Sequence, residues 1–231
     1  MLSKNVIYNE DCISGMKNRL PDASVDLILT DPPYLMNYRS QQERFGAILN
    51  DAGDGGFITK YFEQCYRVLK PDSALFVFCS WHKVDFFKQQ FQEFFTMKNL
   101  IVWVKNGHGA GDTKGSFAPQ HELLIYGHKG RSHLRGYRLS DVIQFPKIPG
   151  TSLRHPTEKP VGLLEKLIIA GSDPGALVLD GFMGSGATAE ACIHSQRDYL
   201  GWELDPVHYA TCMDRTSNYQ QKLYFGDTIQ S

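Results

Sequence analysis

An α/β sheet with helices on both faces is the fold that this 231-residue chain predicts. Two observations carry the expectation. Short apolar runs of strand length alternate with stretches whose apolar residues recur at helical spacing. Two of those strands also lead into loops of special composition, as in open sheets that bind ligands at the carboxyl ends of their strands. The length suits one domain, residues 1–231, with a modest insertion, and the 42% hydrophobic content is enough for a core.

The elements follow in order. Val6, Ile7 and Tyr8 form a short strand, followed by a turn at Asn9, Glu10 and Asp11. Residues 25–30 are apolar, lie between Pro21 and Pro32, and read as the second strand. Residues 51–56 are turn-rich. From Phe57, the positions Tyr61, Phe62, Cys65, Val68 and Leu69 recur at helical spacing, and Pro71 should end that helix. Residues 74–79 are a strand, 81–95 a helix and 100–104 a further strand. The long irregular stretch 106–156 contains one more strand at 122–126. Pro160 opens a helix to about Gly171, with Leu163, Leu164, Leu167 and Ile168 on one face. Strand 176–179, helix 187–195, strand 199–203 and a helix from Asp205 complete seven strand candidates.

The charge is unevenly spread. From Lys98 to Lys159 there are ten Lys and Arg against four Asp and Glu, whereas the rest of the chain is net acidic. A basic sector on an acidic body suits a protein that presents one face to a polyanion, and a solvated loop region would give the same count. No apolar run reaches membrane-spanning length and the first residues lack a signal-peptide core, so no membrane partner is expected. The five cysteines are scattered without zinc or redox spacing, which fits reduced thiols in a cytoplasm; His82, His108, His121 and His194 show no metal-ligand spacing, and no metal site is expected.

Residues 180–189 leave one strand and enter a helix. Gly184 and Gly186 let the backbone turn tightly and a ligand approach closely. Glu203 stands at the tip of the next strand, where a carboxylate can accept both hydroxyls of a ribose. Alone, this is a nucleotide-cofactor pattern that also fits a dinucleotide fingerprint. The second loop is Asp31-Pro32-Pro33-Tyr34. Two prolines fix its backbone, so the Asp31 side chain and the Pro32 carbonyl can point one way, and Tyr34 offers a flat face. That set suits a planar, amine-bearing base extruded from a duplex. Alone it could also be a stiffened turn with a capping Asp. A dehydrogenase explains the glycines and Glu203 but leaves residues 31–34 idle, with too little chain after Glu203 to complete its sheet.

Together these residues resemble the amino-methyltransferases of DNA that act on adenine N6 or cytosine N4, in the permuted order that puts the catalytic loop before the cofactor loop. The motifs are Asp31-Pro32-Pro33-Tyr34, Phe182-Met183-Gly184-Ser185-Gly186, the stretch His155-Pro156-Thr157-Glu158-Lys159-Pro160, and the opening Asn9-Glu10-Asp11-Cys12. The resemblance implies a Rossmann-like, mostly parallel seven-stranded sheet with the first strand at the edge beside the strand that ends in Glu203. It implies S-adenosylmethionine as cofactor, with Asp11 and Cys12 at its adenine and Glu203 at its ribose. Asp180, Phe182, Gly184, Ser185 and Gly186 would line it, and Thr157 and Lys159 would lie near its amino-acid end. Asp31, Pro32, Pro33 and Tyr34 would act on the base. Gly181 departs from the family's usual proline and Met183 from its usual small residue. The tail Phe225-Gly226-Asp227-Thr228 is a second candidate for the adenine-holding loop.

An aspartate at the first catalytic position points, within the family, to adenine. The implied partner is double-stranded DNA, with cytosine-N4 or RNA adenine methylation, or a silent nucleic-acid-binding subunit, as alternatives. Residues 107–154 are where the family places target recognition, and Lys129, Arg131, Arg135 and Arg138 are expected to meet phosphates and bases there. So short a region fits a short recognition sequence or a homodimer.

Overall fold

Side chains along the central strands alternate between two cores. Ile28, Leu75, Val77, Leu123, Ile125 and Leu179 face one way. Their neighbours Leu27, Leu29, Phe76, Phe78, Leu124 and Val178 face the other. Period-2 alternation with both faces apolar is what a sheet buried between two helical layers requires. The computed structural model describes residues 2–35, 55–109, 114–155 and 157–226, the last nine by their backbone alone.

In chain order the elements are β1 (Val6–Tyr8), α1 (Cys12–Arg19), β2 (Val25–Thr30), α2 (Gly56–Val68), β3 (Leu69–Cys79), α3 (Val84–Gln92), β4 (Thr96–Val104), β5 (His121–Lys129), β6 (Val142–Gln144), α4 (Val161–Gly171), β7 (Leu177–Asp180), α5 (Ala187–His194), β8 (Asp198–Trp202) and α6 (Pro206–Gly226). Among the described residues the strands form one sheet in the order β1-β8-β7-β2-β3-β5-β4-β6. Side chains of α1, α2 and α3 join the first core and those of α4 and α5 the second. The seven expected strands are present, β1 lies beside β8 as expected, and β6, three residues paired with β4, is an eighth. β5 alone runs antiparallel to its neighbours β3 and β4, so the sheet is mostly parallel.

Helix α1 has no clear amphipathic stripe and escapes the sequence. It starts because Asp11 caps it, accepting from the Ser14 amide at 2.9 Å. Its Gly15 lies against the Trp202 indole, where a Cβ would come within 2.0 Å of Nε1. Pro71 does not directly end α2. The helix stops at Val68, and Pro71 lies in a bulge near the start of β3, where Val25 pairs with Leu69 but Leu27 with Ala74. Residues 51–54 of the expected turn lie outside the described residues. Among the described residues no helix is long and apolar enough to cross a membrane.

One topological feature places the site. From β2 the chain steps through α2 to β3 on one side; from β7 it steps through α5 to β8 on the other. The strand order therefore reverses between the adjacent strands β2 and β7, and the crevice of an open sheet lies at the carboxyl ends of such a pair.

Candidate active site

A cavity of ≈ 310 Å³ opens at that reversal, reached by the loops after β2, β3, β7 and β8. Asp11, Cys12, Asp31, Pro32, Pro33, Tyr34, Thr157, Lys159, Asp180, Phe182, Gly184, Ser185 and Glu203 all line it. The sequence scatters them over nearly two hundred residues; the sheet brings them to one place. Gly186 does not line it. Its φ of +84° begins α5, and a Cβ there would lie 2.6 Å from the Cys212 sulfur of α6. Its role is the turn and the close approach of α6.

The glycine loop is held from below by Asp180. This carboxylate is buried and accepts from the Phe182 amide and the Thr30 hydroxyl, both at 3.0 Å, and from the Thr188 hydroxyl at 2.6 Å. Burial pushes it up to about 6 even so. Its oxygens are engaged within the protein, so it shapes the glycine loop more than it offers a contact. Gly181 and Met183 each fit a particular neighbour. A Cβ on Gly181 would meet the Tyr61 ring at 2.5 Å, and Tyr61 in turn donates to Thr30 Oγ1 at 2.9 Å. Met183 is buried against Gly201, where a Cβ would come within 2.3 Å of its methyl carbon.

Glu203 follows β8. Its Oε2 accepts from the Gly184 amide at 2.7 Å and its Oε1 from the Asp205 amide at 2.9 Å. Burial lifts it to about 7 despite these donors. Phe182, Leu204 and Leu29 give the cavity apolar walls between two polar ends, Asp11 with Glu203 at one and Asp31 with Lys159 at the other. At the rim the His155 and His208 rings meet edge to face at 4.3 Å. Burial first, then His208, push His155 down to about 3, so its Nδ1 accepts from the Thr157 amide at 3.3 Å as a neutral ring. Arg215 of α6 pins this side: its buried guanidinium donates to Glu190 of α5, to Glu158 at 2.7 Å, and to the Ser185 hydroxyl and carbonyl at 3.2 and 3.3 Å.

The Asp31–Tyr34 loop is at the other end. Asp31 Oδ1 accepts from the Tyr34 hydroxyl at 2.6 Å and Oδ2 from the Lys159 ammonium at 2.5 Å. Lys159, 5% exposed, also faces Glu122 at 3.3 Å, and Lys105 donates to the other Glu122 oxygen at 2.5 Å. Burial raises Asp31; Lys159 opposes that shift and Glu122 adds to it. Burial would lower Lys159, but the two carboxylates outweigh it and hold the ammonium above its ordinary value. Glu122 and Arg215 were not singled out from the sequence. Glu122 carried one signal, a lone acid at the mouth of an apolar strand.

The basic stretch is elsewhere. Because β5 runs antiparallel, Glu122 lies at the site end and Lys129 seven residues away, about 23 Å along the strand. Lys129 donates to the carbonyls of Tyr66 and Leu69 at 2.6 and 2.7 Å, at the carboxyl end of α2. The Arg131 amide donates to Asp72 near the start of β3. Arg135 donates to Gly171 at the end of α4 and to Asp173 beyond it. Arg138 lines a second cavity with Asn99 and Ala170. The structure does not bring these four residues to the active-site cavity. The site end of the 107–154 region instead carries His108, Lys147 and Arg154, all exposed. Asp227 and Thr228 of the alternative adenine loop, Gly111 and Pro156 lie outside the described residues. Among the described residues no cluster of His, Cys, Asp or Glu could hold a metal ion.

The family profile described as DNA methylase matches residues 25–214. The chain belongs to the DNA methylase family. The methylase is 35% identical to the YubD protein of Escherichia coli (strain K12) over 217 residues, 94% of this chain and 92% of YubD. It is 28% identical over 232 residues to the type II methyltransferase M.HpaI of Haemophilus parainfluenzae, 89% of this chain and 72% of that one, and 28% identical over 240 residues to the DNA adenine methyltransferase YhdJ of E. coli (strain K12), 88% of this chain and 79% of YhdJ. Among solved structures its fold matches the M1.HpyAVI–SAM complex with a TM-score of 0.73 at 24% identity, covering 90% of this chain and 97% of that one.

Proposed function

We propose that this methylase transfers a methyl group from S-adenosylmethionine to N6 of an adenine flipped out of double-stranded DNA. The observation that carries the reading is the partly buried Asp31 carboxylate, held 2.5 Å from Lys159 in the same cavity as the glycine loop. The family takes in both N6 and N4 amines. Adenine is supported by aspartate at the first catalytic position and by the name of the relative YhdJ. The cavity fits the cofactor in its chemistry, with apolar walls for an adenine and thioether chain and a Glu203 carboxylate at one end for ribose hydroxyls. Asp11, Cys12, Phe182, Gly184, Ser185 and Glu203 would hold it, with Thr157 and Lys159 toward its amino-acid end. When bound it supplies an electrophilic sulfonium methyl.

The protein's own part is to make a poor nucleophile attack. The adenine amine shares its lone pair with the ring. Hydrogen bonds from the amine to Asp31 and to the Pro32 carbonyl favour a tetrahedral nitrogen and stabilise the positive charge that develops on it. Tyr34 stacks on the flipped base and offsets part of the few kcal/mol that unstacking costs. The duplex lies over the carboxyl ends of the strands, with Lys147 and Arg154 at its phosphates. The test is transfer of labelled methyl to unmethylated genomic DNA, followed by mass spectrometry of the nucleosides. N6-methyladenine is expected; methylated cytosine, or label in RNA alone, would overturn the base or the substrate.

A further inference from the structure

In the resting site both oxygens of the Asp31 carboxylate are engaged, Oδ1 by the Tyr34 hydroxyl and Oδ2 by the Lys159 ammonium. Stacking of Tyr34 on a base frees Oδ1. The ammonium remains, and a cation at 2.5 Å both weakens the carboxylate as an acceptor and repels positive charge developing on the amine. Lys159 is 5% exposed, so it has little access to water if it leaves Asp31. Glu122 is the second anion within its reach, with Oε2 at 3.3 Å. It enters from a different strand, and its Oε1 is fixed by Lys105.

We propose that Glu122 is a positioning residue for methyl transfer: as the target amine enters, Lys159 Nζ moves from Asp31 Oδ2 toward Glu122 Oε2, releasing Asp31 to the amine while the ammonium stays paired. The inference rests on the functional reading above. No proton changes hands; one ion pair loosens and its neighbour tightens. The geometry sets up the exchange, because Lys159 already contacts both carboxylates and a shift of well under 1 Å reverses its preference. Lys105 limits the pull of Glu122 on Lys159 by sharing its charge.

The test is single-turnover methylation with saturating DNA and cofactor, across pH, in Glu122→Gln, Glu122→Asp and Lys105→Met. With Glu122→Gln, Lys159 stays on Asp31. The plateau rate should fall at least about tenfold. The acid limb should move to lower pH by about half a unit, because Asp31 loses its anionic neighbour and keeps its cationic one. Glu122→Asp should keep the limb at the wild-type pH, and Lys105→Met should move it upward. A ¹³C-carboxyl titration of Asp31 in the same proteins reads the coupling without turnover. A wild-type protein inert on adenine would therefore sink the functional reading yet still test the pairing. Should Glu122→Gln fail to fold, the opposed behaviour of the other two variants still decides. A rate within twofold of wild type in Glu122→Gln, or an Asp31 titration that none of the substitutions moves, would overturn the proposal.

Discussion

Replacing Arg215 by methionine removes one guanidinium that three segments share. It is 5% exposed and pairs with Glu158 and Glu190, which are 4% and 8% exposed. Methionine keeps much of the length and apolar volume of the arginine stem, so the loss is electrostatic. Removing one partner of a buried ion pair costs about 3–5 kcal/mol, because the charge left behind stays buried. The Ser185 hydroxyl and carbonyl also lose a donor, worth roughly 1 kcal/mol together once relaxation is allowed. The expected destabilisation is thus about 4–6 kcal/mol, against a total of about 5–15 kcal/mol for an ordinary domain. At about 2–4 °C per kcal/mol for a chain of this size, Tm should fall by roughly 8–24 °C. Urea unfolding followed by circular dichroism gives the free energy, and cofactor titration gives the functional cost. Since Arg215 ties Ser185 to Glu158, cofactor affinity should fall by more than the single-turnover rate at saturating cofactor. Adding Glu190→Gln to the methionine variant should recover about half of the stability. A loss below about 1 kcal/mol would show that the network is relaxed in solution and that this accounting is wrong.

Asp31→Ala should cut methyl transfer by at least about a thousandfold while leaving cofactor binding within a few fold, and near-normal turnover would sink the catalytic assignment. Glu203 is raised to about 7 from an ordinary 4.5, so the folded state binds its proton more tightly than the unfolded state. The stability this provides is fully present below pH 4.5 and is lost as pH rises toward 7. Relative to wild type, Glu203→Gln should therefore gain about 3 kcal/mol between pH 4.5 and 7.5, measured by parallel urea melts; a pH-independent difference would refute the assignment. Gly186→Ala combines a φ of +84° with a 2.6 Å approach to the Cys212 sulfur, and should cost about 2–4 kcal/mol in the same melts. Neutralising Lys147 and Arg154 should weaken DNA binding and flatten its salt dependence, whereas neutralising Arg131 and Arg138 should leave the slope unchanged; the reverse result would put the duplex at the other end of the sheet.

Much of this was legible because it is local. Strands such as β2 and β7 are apolar runs bounded by turn residues, and the two ligand loops announce themselves by proline and glycine. The pairing of β1 with β8 followed from the permuted motif order. What escaped depends on partners far away in the chain. Strand β6 exists because three residues find the edge of β4. Arg215 reads as one more arginine on a helix until the fold sets it beside Glu158, 57 residues earlier. The basic stretch after β5 lies at the end of the sheet away from the cavity, and nothing in its composition reveals that the preceding strand runs backwards. Asp180 was expected beside the cofactor and does line the cavity, but only the structure shows that its oxygens are taken by Thr30, Thr188 and the Phe182 amide.

The reversal of strand order between β2 and β7 has a consequence for how the domain assembles. The hydrogen bond from Thr30 to Asp180 joins residues 150 apart, and that from Lys159 to Asp31 spans 128. Neither the Asp31 loop nor the glycine loop owns a half-site that could form early and wait; the pocket arises only when the seam between two distant stretches closes, a slow event in a sheet of such long-range pairing. A ligand bound there acts as a clasp across the seam. Its free energy is drawn against opening of the whole sheet, and slowed amide exchange in β2 and β7 would register it as faithfully as any change within the pocket.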